Sequence, residues 1–278
     1  PVHTGNVAIF TRTDVAATAM ALRVDDSTAG ATTIRVRMVE GYTDINTFTG
    51  PAPTDAQLSG GGHWAKGANT STPKRWVLVG DSRMFYLFTD SHGSANFGNG
   101  GGLMSGGFGD PVSYRASDAY GCCLMSLASA GTITGIFTSS VLAGDSSFAK
   151  AGLVWSRPAS QVGSSTKCNF VSATPATTPI GGAGGTAPLY GSNVDGGGAV
   201  QDPMWLLEEN GTFGNPIRGH AAGLGVPLCR GMHALGITVL NDLLGSDREW
   251  LVVPLSDSGG GSATNTGAIL VDVTGPWR

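Results

Sequence analysis

Glycine constrains this chain more than any other residue: it fills 44 of the 278 positions, roughly one in six against about 7% in ordinary globular proteins. In a helix interior each glycine costs about 1 kcal/mol relative to alanine, and the glycines here are spaced closely enough to leave few stretches that could carry a long helix. A helical bundle is therefore excluded. Collagen is excluded too, because the glycines keep no Gly-X-Y period and cluster instead at Gly60–Gly62, Gly100–Gly102 and Gly196–Gly198. What remains is an all-β chain: an antiparallel, hairpin-rich sandwich or barrel-like domain with long Gly-rich loops and little helix. The length suits a single β-rich domain over residues 1–278. A weak subdivision near 174–185 is suggested by Pro175, Pro179 and four glycines in that stretch.

Charge narrows the partners. Lys plus Arg number 16 against 20 Asp plus Glu, a net charge of −4, which is the wrong balance for neutralising phosphates and argues against nucleic acid. No window approaches the roughly 20 apolar residues that span a bilayer, so membrane insertion is not expected. Four cysteines, Cys122, Cys123, Cys168 and Cys229, are few for this length and two are adjacent; they read as free buried thiols.

Apolar residues recur with the period of strands, in pairs separated by turn residues. Met20, Leu22 and Val24 precede Ile34, Val36 and Met38, with Arg23, Arg35 and Arg37 on the opposite face. Those arginines need Asp25, Asp26 or Glu40 nearby, or an acidic partner; a solvated charge ladder is the simpler reading. Trp76–Val79 and Met84–Phe88 flank the turn Gly80-Asp81-Ser82, and because both faces are apolar this hairpin is expected to be central and buried on each side. Trp250–Val253 and Ala268–Val273 form a third pair, joined by the glycine-rich residues 256–267. Leu153–Trp155 and Met204–Leu207 read as further short strands. Residues 235–244 fit a short helix by the spacing of Leu235, Val239 and Leu243, or a strand by Ile237-Thr238-Val239. Three segments, 91–110, 162–198 and 210–230, have weak periodicity and read as long loops.

The sharpest enzymatic suggestion is Gly80-Asp81-Ser82 after an apolar strand, which resembles the first block of the SGNH serine hydrolases. A serine hydroxyl is a weak nucleophile until a base takes its proton. None of His3, His63, His92, His220 or His233 lies three residues after an aspartate, and the chain continues at once into a strand rather than a helix. A hairpin turn explains the same residues. There is no Gly-x-Ser-x-Gly elbow, His-Glu-x-x-His or phosphate loop. His220 and His233 flank Cys229 at spacings that match no zinc module. No catalytic residue, metal site or cofactor is expected. Trp64, Phe97, Phe108 and Tyr190 stand among glycines, where they either stack on a ligand such as a sugar ring or plug the core.

The C-terminal Asp272-Val273-Thr274-Gly275-Pro276-Trp277-Arg278, the segment Leu22–Asp26, the stretch Gly41–Pro51 and Trp76–Phe88 together resemble a family of largely uncharacterised virion structural proteins of tailed bacteriophages. The resemblance implies a virion location and a structural role without catalysis, most readily as a tail, tail-tip or baseplate subunit that assembles into a symmetric oligomer. Its partners would be copies of itself and other virion proteins. Alternatives are a module at the tail tip that binds a host receptor or surface glycan, a capsid decoration protein and, behind both, an SGNH-like esterase using Ser82. Long charge-poor loops, particularly 91–110 and 195–198, would then form the contacts between subunits.

Overall fold

Alternating apolar and charged residues fold the N-terminal part into an antiparallel sheet. The computed structural model describes residues 2–11, 20–28, 31–66, 75–90, 102–114, 122–126, 153–157, 166–171, 201–208, 217–227, 236–241, 247–256 and 265–277. In chain order the first strands are β1 (Val2–Thr4), β2 (Val7–Phe10), β3 (Ala21–Asp25) and β4 (Thr33–Val39). A small hairpin follows, β5 (Gly41–Tyr42) with β6 (Phe48–Thr49), and then β7 (Gly62–Ala65). The sheet order is β1-β2-β3-β4-β7. Leu22 stands opposite Met38 and Val24 opposite Val36, so one face is apolar; Arg23 stands opposite Arg37 and Asp25 opposite Arg35 on the other. This is the register the sequence alternation demands, since a one-residue slip would turn the arginines into the core.

A second, 12-stranded sheet takes the rest of the described chain. It starts with β8 (Trp76–Gly80), β9 (Met84–Asp90), β10 (Gly102–Gly109), β11 (Val112–Ser113) and β12 (Cys122–Ser126). It continues through β13 (Leu153–Arg157), β14 (Thr166–Val171), β15 (Gln201–Glu208) and β16 (Ile217–Pro227), and finishes with β17 (Gly236–Asn241), β18 (Asp247–Ser256) and β19 (Asn265–Asp272). The order is β17-β18-β19-β16-β15-β14-β13-β12-β10-β9-β8, with β11 paired to β16. A further parallel pair, Gly102 opposite Leu255, joins β10 to β18. The path from β10 through β12 and onward to β18 therefore closes on itself, as in a barrel. No helix occurs among the described residues, and apart from that one pair the ladders are antiparallel.

The stretch β9-β10-β12 is the middle layer. One face meets the N-terminal sheet in a core of Met20, Leu22, Val36, Met38, Trp64, Phe108 and Leu124, with Phe85 and Leu87 packed alongside. The opposite face carries Met84, Tyr86 and Phe88, all buried. Tyr86 is tied to the C-terminal strands: its hydroxyl donates to the Ala222 carbonyl at 2.6 Å, and its ring stacks on Trp277 at 5.2 Å between centroids. With two apolar faces to fill, β9 and β12 carry almost continuous apolar runs, as strands covered on both sides do.

Four sequence readings need correction. The hairpin β8–β9 forms as expected, but only β9 is buried on both faces; β8 is an edge strand, and Trp76 and Leu78 are exposed. Residues 102–109, expected as part of a long loop making intersubunit contacts, are the strand β10 between β9 and β12. Residues 166–171 and 217–227, within the other two expected loops, are the strands β14 and β16, the latter the longest in the described chain at 11 residues. The reason is shared by β10 and β16: glycine shows no apolar alternation, yet in a sheet it leaves room for a large side chain from the next layer. Residues 235–244, open between helix and strand, contain β17. The expected contact loop 195–198 and the possible boundary at 174–185 lie outside the described residues.

Candidate functional site

Two of the four aromatic candidates are core residues. Trp64 is 4% exposed and Phe108 is 6% exposed, so of the two readings the sequence left open, stacking on a ligand or plugging the core, both residues take the second. Trp64 sits on β7 and points across the inter-sheet layer. Its indole N–H donates to the Met125 carbonyl at 2.7 Å, and its ring meets Phe85 edge-on at 6.0 Å. Phe85 in turn lies 6.2 Å from Phe108. Gly106 makes this possible: a Cβ there would fall inside the Trp64 ring. Rings buried this way offer no face to a sugar. Phe97 and Tyr190, the other two candidates, lie outside the described residues.

Gly80-Asp81-Ser82 is the turn of the β8–β9 hairpin. The Asp81 carboxylate accepts the Arg83 N–H at 2.7 Å and the Met84 N–H at 3.1 Å through one oxygen. Its other oxygen accepts the Trp277 N–H at 3.0 Å. Asp81 thus closes the turn and holds the C-terminal segment against it, a task that accounts for an aspartate at this position. Ser82 is exposed beside it. Of the described histidines, His3 is exposed on β1 and His63 is on β7, while His220 shares a 2.9 Å hydrogen bond with the Tyr114 hydroxyl. No group of three or more His, Cys, Asp or Glu among the described residues is arranged to hold a metal ion. Cys122 and Cys123 on β12 are both buried.

The C-terminal motif is a lock. Asp272 pairs with Arg248, both buried, with the guanidinium Nε donating at 2.7 Å. Its second oxygen accepts the Thr274 N–H at 2.9 Å. The Thr274 hydroxyl accepts the Glu249 N–H at 2.7 Å. The Trp277 indole N–H donates to the Asp272 carbonyl at 2.8 Å, while the ring covers Gly223, whose φ of +68° and lack of a Cβ admit it. Asp272, Thr274 and Trp277 together fix the segment across the sheet.

The arginine face of the N-terminal sheet is largely neutralised within the chain. Arg23 pairs with Asp25 at 3.1 Å and Arg37 with Asp55 at 2.5 Å. Phe48, on β6, lies under both guanidinium groups at 5.4 and 5.9 Å. Hydrogen bonds from the Arg37 guanidinium and then the Gly60 N–H hold the Asp55 carboxyl below the usual carboxylate range. On β7, opposite Arg35, burial and then the Arg35 charge push the His63 imidazole below its usual pKa.

The surface feature that stands out is at the ends of the large sheet. Among the described residues its terminal strands are β8 and β17. On β8, Trp76 is 66% and Leu78 54% exposed; on β17, Ile237 is 59% and Val239 55% exposed. Both strands lack charged residues and proline. Proteins ordinarily protect an edge strand with lysine, proline or a bulge, because its unpaired N–H and C=O groups template pairing with another chain. Compared with known proteins, the chain matches no family model and no curated protein sequence.

Proposed function

We propose that this chain is a structural subunit of a bacteriophage virion, in the tail, tail tip or baseplate, and that its activity is assembly. The observation that carries the assembly part is the pair of uncharged apolar edge strands, β8 and β17, at the two ends of one sheet. A subunit copied many times needs surfaces that repeat, and two edges on one sheet supply them. The phage assignment rests on the sequence resemblance, above all on the C-terminal motif. The side chains of Asp272, Thr274 and Trp277 in that motif bond within the fold, which suits an architectural role. The glycan-binding alternative loses Trp64 and Phe108 to the core and keeps Phe97 and Tyr190.

Immunogold labelling of intact phage particles with antibody to this chain tests the proposal. Label at the tail or its tip is the expected result. Label over the head would move the subunit to capsid decoration, and particles without label, with the epitope shown to be accessible, would overturn the virion reading.

A further inference from the structure

We propose that β7 is an acid-sensitive clasp between the two sheets: protonating His63 frees β7 from β4 and withdraws Trp64 from the shared core while the rest of the fold stays closed. Neighbouring residues of a strand point to opposite faces, so His63 and Trp64 place β7 in two different surroundings at once. Trp64 faces inward, with its indole N–H on the Met125 carbonyl of β12 and its ring edge-on to Phe85, packed where Gly106 lacks a Cβ. His63 faces the arginine side and stands opposite Arg35 in the β4–β7 ladder. That ladder is only four residue pairs long, from Thr33 opposite Ala65 to Val36 opposite Gly62. Gly60 and Gly61, at φ of +79° and +95°, lead into it. A short strand that carries an ionisable group on one face and the inter-sheet bolt on the other links the charge of the first to the seating of the second.

The surroundings of His63 do not suit a second ring proton. The residue is 7% exposed, and its Nδ1 is buried with no hydrogen-bond partner among the described residues. A neutral imidazole can leave that nitrogen bare, but the protonated ring carries an N–H on both nitrogens, and a buried N–H without an acceptor is costly, more so when it is charged. The charged groups on this side of the sheet are Arg23 and Asp25 on β3, Arg35 and Arg37 on β4, Glu40 just after β4, and Asp55 in the segment before β7. Asp25 is engaged by Arg23 at 3.1 Å and by the Ser27 N–H at 3.0 Å. Asp55 is engaged by Arg37 at 2.5 Å and by the Gly60 N–H at 3.2 Å, while the Glu40 side chain lies against Gly50. Arg35 is the group whose charge acts on the imidazole, and after burial it is what disfavours the protonated ring. Moving β7 off β4 relieves both, because it gives the ring water and distance from Arg35. Protonation therefore favours the open clasp.

Native-state hydrogen exchange of the full chain between pH 7.5 and 5, corrected for the intrinsic pH dependence of exchange, tests the clasp. The Trp64 indole N–H and the amides of Gly62–Ala65 are expected to lose protection several-fold at pH 5. The ceiling is roughly thirtyfold, set by one imidazole that regains its ordinary pKa of 6.5 in the open form. The Trp277 indole N–H, bonded to the Asp272 carbonyl on β19, is expected to keep its protection, which separates a local opening from global unfolding. His63→Gln is expected to abolish the response. Arg35→Gln, at an exposed position, is expected to weaken it, and circular dichroism checks that both variants are folded. Protection at Trp64 and β7 that does not change with pH, Trp64 and Trp277 indoles that open in parallel, or a His63→Gln chain that responds like wild type would overturn the proposal.

Discussion

Gly223 shows how much a single missing atom decides. Its φ of +68° lies in the left-handed region and the Trp277 ring occupies the space of its absent Cβ. Gly223→Ala therefore meets both a backbone cost of about 1–2 kcal/mol and an overpacking cost of about 1–3 kcal/mol. A loss of roughly 2–5 kcal/mol, read from the urea midpoint at unchanged slope, is the expected result. The pair Asp272–Arg248 makes a second case. Asp272→Ala leaves a buried guanidinium without its counter-ion, and removal of one partner of a buried pair costs about 3–5 kcal/mol. Asp272→Asn, which keeps an acceptor, should cost less, and the order of the two midpoints is the check.

At the scale of the element, the β4–β7 ladder carries a pH dependence. His63 has a folded pKa below the usual 6.5 because burial, and then the Arg35 charge, disfavour its protonated form. The unfolded chain thus binds the proton more readily, so stability is fully present above about pH 6.5 and is lost as pH falls toward the depressed folded value. Melting temperatures measured from pH 7.5 to 5 should fall more steeply for the wild-type chain than for His63→Gln; parallel curves would remove His63 as the cause. Element-level patterning was legible where side chains alternate. Leu22 opposite Met38 and Arg23 opposite Arg37 could be read directly, because the period of two fixes which residues share a face. It was not legible in β10, where Ser105, Gly106 and Gly107 interrupt any alternation. There the ladder is set by β9 and β12 on either side, and a bulge between Met104 and Gly106 absorbs the mismatch.

Across the whole molecule, the N-terminal sheet and the large sheet share one core, since Met20, Leu22, Val36, Met38 and Trp64 pack with Phe108, Cys122 and Leu124. Neither sheet can bury its apolar face alone. A chain beginning at residue 67 is therefore expected to expose Phe85, Leu87, Phe108 and Leu124, to bind a hydrophobic dye and to aggregate at concentrations where the full chain is soluble. A truncated chain that stays soluble and binds no dye would show that the sheets are independent.

By itself the sequence determined the all-β class, the three principal hairpins and the turn at Gly80-Asp81-Ser82, because glycine spacing and two-residue alternation are local and survive without knowledge of neighbours. It could name Trp64, Phe108 and Trp76 as aromatics beside glycine or at a strand, and no more. Only the tertiary structure decided that Trp64 and Phe108 face another sheet, while Trp76, in a strand apolar on both sides, stands at an edge and faces out. Burial depends on what the rest of the chain brings to each face, and the order of strands in a sheet is set by contacts between residues far apart in sequence.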